Sequence, residues 1–130
     1  MHRGFLLTAA IFGILSVALG AFAAHALKSM VSEKAVATFE TGVRYMFYHT
    51  FAIMAAGIIY SEIKSKLIIW AGRLFLAGII LFSFSLFALA VVQGAVLPGL
   101  KWIGAVTPFG GMMFIAGWVC FFIAFFNKKV

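Results

Sequence analysis

The sequence predicts an all-α polytopic membrane protein, an antiparallel bundle of four transmembrane helices with a short interfacial helix between the first two spans. Three observations predict it. The 130 residues are 65 % hydrophobic and only 10 % charged, more apolar surface than a soluble domain of this size can hide. The apolar residues fall into four long runs, near 4–24, 43–60, 67–92 and 102–126, each about long enough for a bilayer core of roughly 30 Å. The polar and charged residues collect between those runs and at their mouths. The whole chain, 1–130, reads as a single integral membrane domain.

The first run, Gly4 to Ala24, presents Gly13, Ser16, Gly20 and Ala24 at spacings of three and four, a small-residue face that lets a second helix come close. Arg3 followed by an apolar core and small-x-small sites at Ala21-Phe22-Ala23 or Ala24-His25-Ala26 also resembles a signal peptide. The run is long for a signal core, which favours an uncleaved span. The first connection holds Ser32-Glu33-Lys34, a helix start with Ser32 as cap. Met30, Val31, Val36, Phe39 and Val43 then line one side, the pattern of a short helix lying in the interface, and Thr41-Gly42 marks a bend or a close approach between this segment and the second span.

The second span opens on the densest set of polar groups in the chain, Glu40, Arg44, Tyr45, Tyr48 and His49. Residues four apart share a helix face. Glu40, Arg44 and Tyr48 form one stripe, with the acid on the favourable N-terminal side of the base, and Tyr45 and His49 form another. If the hydrocarbon begins near Val43, His49 lies about 9 Å inside at a rise of roughly 1.5 Å per residue. Arg44 can snorkel back to the interface, whereas His49 is too short to do so and is expected to face protein. His25, at the end of the first span, belongs to the same half of the membrane and is also expected to face the bundle. A simpler reading is an interfacial belt, with the tyrosines at headgroup level and Arg44 on phosphate.

Ser61 to Lys66 is a short polar turn. The third span carries Arg73, expected to snorkel towards Lys64 and Lys66, and Ser83 and Ser85, expected to bond back to their own helix. Gly94, Pro98 and Gly99 mark a loop, and the fourth span starts near Thr107-Pro108 and is thinned for packing by Gly110, Gly111 and Gly117. Counting basic residues on each side sets Arg3, Lys64, Lys66, Lys128 and Lys129 against Lys28, Lys34, Arg44 and Lys101. The larger group places both termini in the cytoplasm of a cell with this chain in its inner membrane.

The sequence also excludes. The net charge of +7 is spread along the chain and flanks apolar runs, so it addresses anionic headgroups rather than nucleic acid. Cys120 is the single cysteine and cannot form an intrachain disulfide. No aspartate occurs, the glutamates are dispersed, and no nucleophile elbow, HExxH pattern or phosphate-cradling glycine loop is present. No catalytic residue and no metal ligand is assigned, no cofactor is expected, and the chain is not read as an enzyme.

Three segments carry a resemblance to a known family: Gly20-Ala21-Phe22-Ala23-Ala24-His25-Ala26-Leu27, Phe39-Glu40-Thr41-Gly42-Val43-Arg44-Tyr45-Met46-Phe47-Tyr48-His49, and Thr107-Pro108-Phe109-Gly110-Gly111. Together they resemble the DUF423 family, also known as UPF0382, over nearly the whole chain. The family pattern favours glycine at Ala23, glutamine at Met46, and glycine and tyrosine near Phe84 and Phe87. The resemblance implies a small four-helix membrane protein and no reaction, and it sets His25, Arg44, Tyr48 and His49 within family motifs.

Three functions are therefore weighed. The first is a structural or accessory membrane component that packs through its glycine-lined faces (Gly13, Ser16, Gly20, Gly110, Gly111) against itself or a larger membrane complex and binds lipid through the polar cluster. The second is a small-ligand, ion or proton translocator with Glu40, Arg44, His49 and His25 lining a polar pocket. The third is a haem- or quinone-linked redox module with His25 and His49 on adjacent spans.

Overall fold

The computed structural model describes residues 1–95 and 98–128, apart from the side chains of Pro98 and Lys101. Of the cations counted for orientation, Lys129 and the Lys101 side chain thus lie outside the described residues. The described chain is all helical: α1 (Arg3–Ala24), α2 (Glu33–Ile59), α3 (Lys66–Gly78), α4 (Phe84–Gly94) and α5 (Thr107–Phe126). A five-residue π turn, Ile79–Ser83, joins α3 to α4 in one long rod. Three-residue and eight-residue 3₁₀ segments, Leu27–Ser29 and Pro98–Ala105, precede α2 and α5.

Each start has a local cause. The backbone N–H of Phe5 donates to His2 Nδ1 at 3.2 Å, the N–H of Ala35 to Ser32 Oγ at 3.3 Å, and the N–H of Leu67 to Ser65 Oγ at 3.2 Å. These satisfy donors that a first helical turn leaves open. Glu33 in the first turn of α2 suits the positive end of the helix dipole. Pro108 sits in the first turn of α5, where its missing N–H costs nothing.

Among the described residues, three helical stretches are long and apolar enough to cross a membrane, Arg3–Ser29, Lys66–Gly94 and Trp102–Phe126. α2 is not one of them, and its place in the packing explains why. It lies between α1 on one side and the α3–α4 rod on the other, and its buried residues are spread along its whole length, from Ala35 to Gly57. α2 thus packs against protein on two sides and keeps Arg44, Tyr48 and Phe51 exposed on the remaining surface.

The expected break between an interfacial helix and a second span is absent: α2 runs unbroken through Thr41 and Gly42. The Thr41 hydroxyl donates back to the Ala37 carbonyl at 2.9 Å. Gly42 is a point of close approach rather than a bend, because a Cβ there would lie 2.7 Å from the Phe87 ring and 3.0 Å from the Ser83 carbonyl oxygen.

Neighbouring helices pack antiparallel. His2 N–H donates to the Gly57 carbonyl at 2.7 Å, tying the start of α1 to the end of α2, and further along Gly20 packs on Val43. Phe39 of α2 meets Phe87 of α4 with ring centroids 4.6 Å apart. The α3–α4 rod and α5 interlock as phenylalanine into glycine: Phe75 fills the space over Gly117, Phe114 that over Gly78, and Phe82 that over Gly110. At Gly110 the obstacle is backbone, with the Phe82 Cα 2.7 Å from where a Cβ would sit.

Ser85 extends the same register. Its hydroxyl donates to the Phe82 carbonyl at 2.8 Å and meets the Thr107 hydroxyl at 2.8 Å, so it bridges to α5 besides bonding to its own helix. Ser83 departs from expectation altogether. It is fully buried and its hydroxyl has no partner, while the Ile79 carbonyl four residues back accepts the Phe84 N–H.

The adjacent glycines of α5 make a sharp test. Gly110→Ala forces a methyl into the Phe82 backbone and lowers stability by about 1–3 kcal/mol. At Gly111 a Cβ would lie 3.9 Å from the Phe82 ring, so Gly111→Ala should stay within about 0.5 kcal/mol of the parent or gain from helix propensity. Denaturant unfolding in detergent micelles checks both; equal losses would contradict the packing described.

Candidate functional site

The polar cluster expected at the mouth of α2 divides between two faces of that helix, about 100° apart. Glu40 and Arg44 turn towards α1. With Val43 and Phe47 of α2, and Val17, Gly20 and Ala21 of α1, they line an open groove of about 360 Å³ floored by Ser16. Ser16 is buried and donates to the Phe12 carbonyl at 2.7 Å, so it is already satisfied. A second hollow of about 390 Å³ continues outward from Glu40 and is lined by Lys28, Glu33, Val36 and Ala37. Arg44 is exposed and Glu40 half-buried. Despite their spacing, the two form no ion pair among the described residues.

Tyr45 and His49 turn the other way, towards α5. His49 is 5 % exposed. Its Nδ1 lies 2.8 Å from the Tyr45 carbonyl oxygen, and Trp118 Nε1–H donates to its Nε2 at 3.3 Å. The indole can only donate and the carbonyl can only accept, so the network assigns the proton to Nδ1 of a neutral ring. The imidazole lies flat on Phe114, with centroids 3.5 Å apart and planes at 7°, and its edge meets Phe75 and Trp118. Tyr45 rests on Phe82 with centroids 4.7 Å apart. Tyr48, in contrast, is 55 % exposed.

His25 does not face the bundle. It is the exposed residue that ends α1, its backbone N–H donating to the Ala21 carbonyl at 3.2 Å. The reason is local: the chain leaves α1 here, and Ala23 and Leu27 take the inward positions. His25 and His49 therefore sit on different helices with His49 turned to α5, and they do not converge on a shared ligand as a redox pair would need. No group of three or more potential metal ligands gathers among the described residues.

The small residues proposed for packing fall at different depths. A Cβ on Gly13 would lie 3.9 Å from Thr50, and one on Gly20 would lie 3.6 Å from Val43. These are ordinary contacts, and Gly110 is the position of the set where nothing larger fits. Arg73 is exposed and sits over Trp70, 5.8 Å from the ring centroid, directed towards the Lys66 end of its helix. Cys120 is partly buried and free. Two features carried no readable signal in advance. One is His2, which joins α1 to α2. The other is Trp118, one of three tryptophans in the chain and the one that holds His49.

The imidazole arrangement is open to direct measurement. Nitrogen-15 NMR of the His49 ring should show the proton on Nδ1; a proton on Nε2 would contradict the bond from Trp118. Trp118→Phe keeps an aromatic ring but leaves Nε2 unpartnered, and should lower stability by about 1–3 kcal/mol.

Comparison with known proteins agrees with a membrane protein. The model for the protein family of unknown function DUF423 matches residues 19–111. A UPF0382 membrane protein of Staphylococcus haemolyticus is 38 % identical over 123 residues, covering 95 % of each chain. The UPF0382 membrane protein YwdK of Bacillus subtilis is 36 % identical over 121 residues, covering 92 % of this chain and 94 % of its own. A UPF0382 membrane protein of Haemophilus influenzae is 37 % identical over 130 residues, covering 99 % and 98 %. No solved structure matches the chain. With most of its length matched by the family model and by relatives of nearly equal length, the chain belongs to the DUF423 (UPF0382) family of membrane proteins.

Proposed function

We propose that the protein is a structural or accessory component of the cell inner membrane, in which α2 is a fourth span and both termini are cytoplasmic. One observation carries this reading: among the described residues the buried polar side chains, Ser83 apart, are tied off by hydrogen bonds, while the charged groups face outward. Ser16, Thr50 and His49 bond within the bundle, and Ser85 and Thr107 bond each other. Glu40 and Arg44 line an outer groove between two helices. Such an interior is built to hold helices together, and its outer face is built to meet headgroups. A translocator needs titratable groups free to exchange a proton or ion along a path. The buried imidazole of His49 has both nitrogens engaged, which argues for a packing role.

α2 as a span follows from its antiparallel contacts with two of the apolar rods. An antiparallel helix that shares their length shares their depth, and the Tyr60–Ser65 turn then returns on the side of the N-terminus. Partners of this component would be lipids, a second copy, or a larger membrane complex meeting its exposed apolar faces, among them Ile14, Val17 and Phe126.

Two measurements test the proposal. Reporter fusions at the N-terminus, within 61–65 and at the C-terminus should all report one side, the cytoplasm. Termini on opposite sides would remove α2 from the spans. Native mass spectrometry after gentle extraction should show the chain with a second copy or another protein, and a bare monomer under those conditions would overturn the accessory role.

A further inference from the structure

We infer that the groove between α1 and α2 holds one phospholipid with a zwitterionic, primary-amine headgroup, its phosphate on Arg44 and its ammonium on Glu40. This deepens the proposed function and rests on α2 being a span. Three observations lead to it. First, Arg44 and Glu40 stand one helical turn apart in the same groove without pairing to each other among the described residues. At this spacing an ion pair is available but worth little at an exposed site, so each charge can be turned over to a ligand. Second, the groove is graded. Phe47 and Val17 form an apolar slot on the inner side of Arg44, suited to part of an acyl chain, while Ala21 stands level with the stretch between Arg44 and Glu40, and Glu40 lies one turn further out. A phospholipid presents its groups in that order: chain, phosphate, amine. The ethanolamine bridge sets ammonium and phosphate about 5 Å apart, close to the rise of roughly 6 Å between residues four apart on a helix.

Third, the charges balance for a zwitterion. In the outer hollow two carboxylates, Glu33 and Glu40, accompany one ammonium, that of Lys28. One carboxylate is in excess there, and Arg44 supplies one cation below it. An anionic headgroup would satisfy Arg44 and leave its remaining polar atoms against Glu40. A choline headgroup carries charge but has no N–H to donate to a carboxylate. The primary amine does both, and a guanidinium suits phosphate by its forked donors.

The test is a lipid titration of the delipidated full-length protein in detergent, read by native mass spectrometry, with phosphatidylethanolamine, phosphatidylcholine and phosphatidylglycerol. The wild type should retain one phosphatidylethanolamine at concentrations about tenfold below those needed for the other two, the scale of one charge-assisted hydrogen bond. Arg44→Gln should lose about that factor for every phospholipid. Glu40→Gln should abolish the preference for ethanolamine over choline, weakening choline binding less than ethanolamine binding because choline loses only the attraction between charges. Gly20→Leu, which fills the slot beside Val43, should weaken all three alike. Tighter binding of phosphatidylglycerol, an ethanolamine preference that survives Glu40→Gln, or no retained phospholipid each overturns the assignment. Arg44 is exposed and Glu40 half-buried, and helix content by circular dichroism separates lost binding from lost fold. The reporter fusions report α2 separately: a failed titration with four crossings removes the headgroup assignment alone, whereas three crossings remove the reading beneath it.

Discussion

The interlock of phenylalanine with glycine between the α3–α4 rod and α5 is the constraint on which the rest of the bundle depends. Within a bilayer, burying an apolar side chain against another helix gains little over leaving it in lipid, so helices are held by close packing and by hydrogen bonds. Phe75, Phe82 and Phe114 achieve that packing by entering the spaces that Gly117, Gly110 and Gly78 leave open. The two helices exchange knobs in both directions, which fixes rotation and depth together. Ser85 and Thr107 add a hydrogen bond at the same register. Once α5 is locked in this way, Phe114 and Trp118 stand where His49 meets them, and the position of α2 follows.

The π turn at Ile79–Ser83 belongs to the same constraint. Phe82 presses on Gly110 of α5 from one side, and Gly42 of α2 presses on the Ser83 carbonyl and Phe87 from the other. The rod is thus gripped from two directions over one turn. A single extra residue in that turn re-aims the side chains that follow it. The cost is local: the Ser83 hydroxyl is left buried without a partner, a penalty of about 1–3 kcal/mol for an unsatisfied polar group. The glycine contacts around it offset that cost through dispersion over whole aromatic rings.

Much of the fold was legible in the sequence, because length and apolarity mark the long helical runs and the cap at Ser32 declares where one helix begins. What was not legible depended on neighbours. A glycine in an apolar run reads the same whether it permits a bend or a close approach, so Gly42 left both open, and the continuous α2 decides for the close approach. The π turn leaves no trace in composition. The face that each member of the polar cluster would take was half visible. The four-residue stripes separated Glu40 and Arg44 from Tyr45 and His49, but which stripe met α1 and which met α5 follows from pairings distant in sequence. His25 misled because proximity to a span end says nothing about direction once the chain is leaving the helix.

The division of α2 into two faces explains why the least apolar helix can occupy the centre. Its Tyr45–His49 face is packed against aromatic rings, where an imidazole is tolerable only if both nitrogens are engaged. Its Glu40–Arg44 face looks into an open groove, where charge is tolerable because water can reach it. Exchanging the two sets would bury an arginine among phenylalanines and expose an imidazole that needs no solvent. Spacing of four within each set keeps the members on their own face, and the offset of one residue between Arg44 and Tyr45 turns the sets about 100° apart on a helix of 3.6 residues per turn. That rotation lets one helix meet aromatic rings on one side and an open groove on another without a break in its backbone.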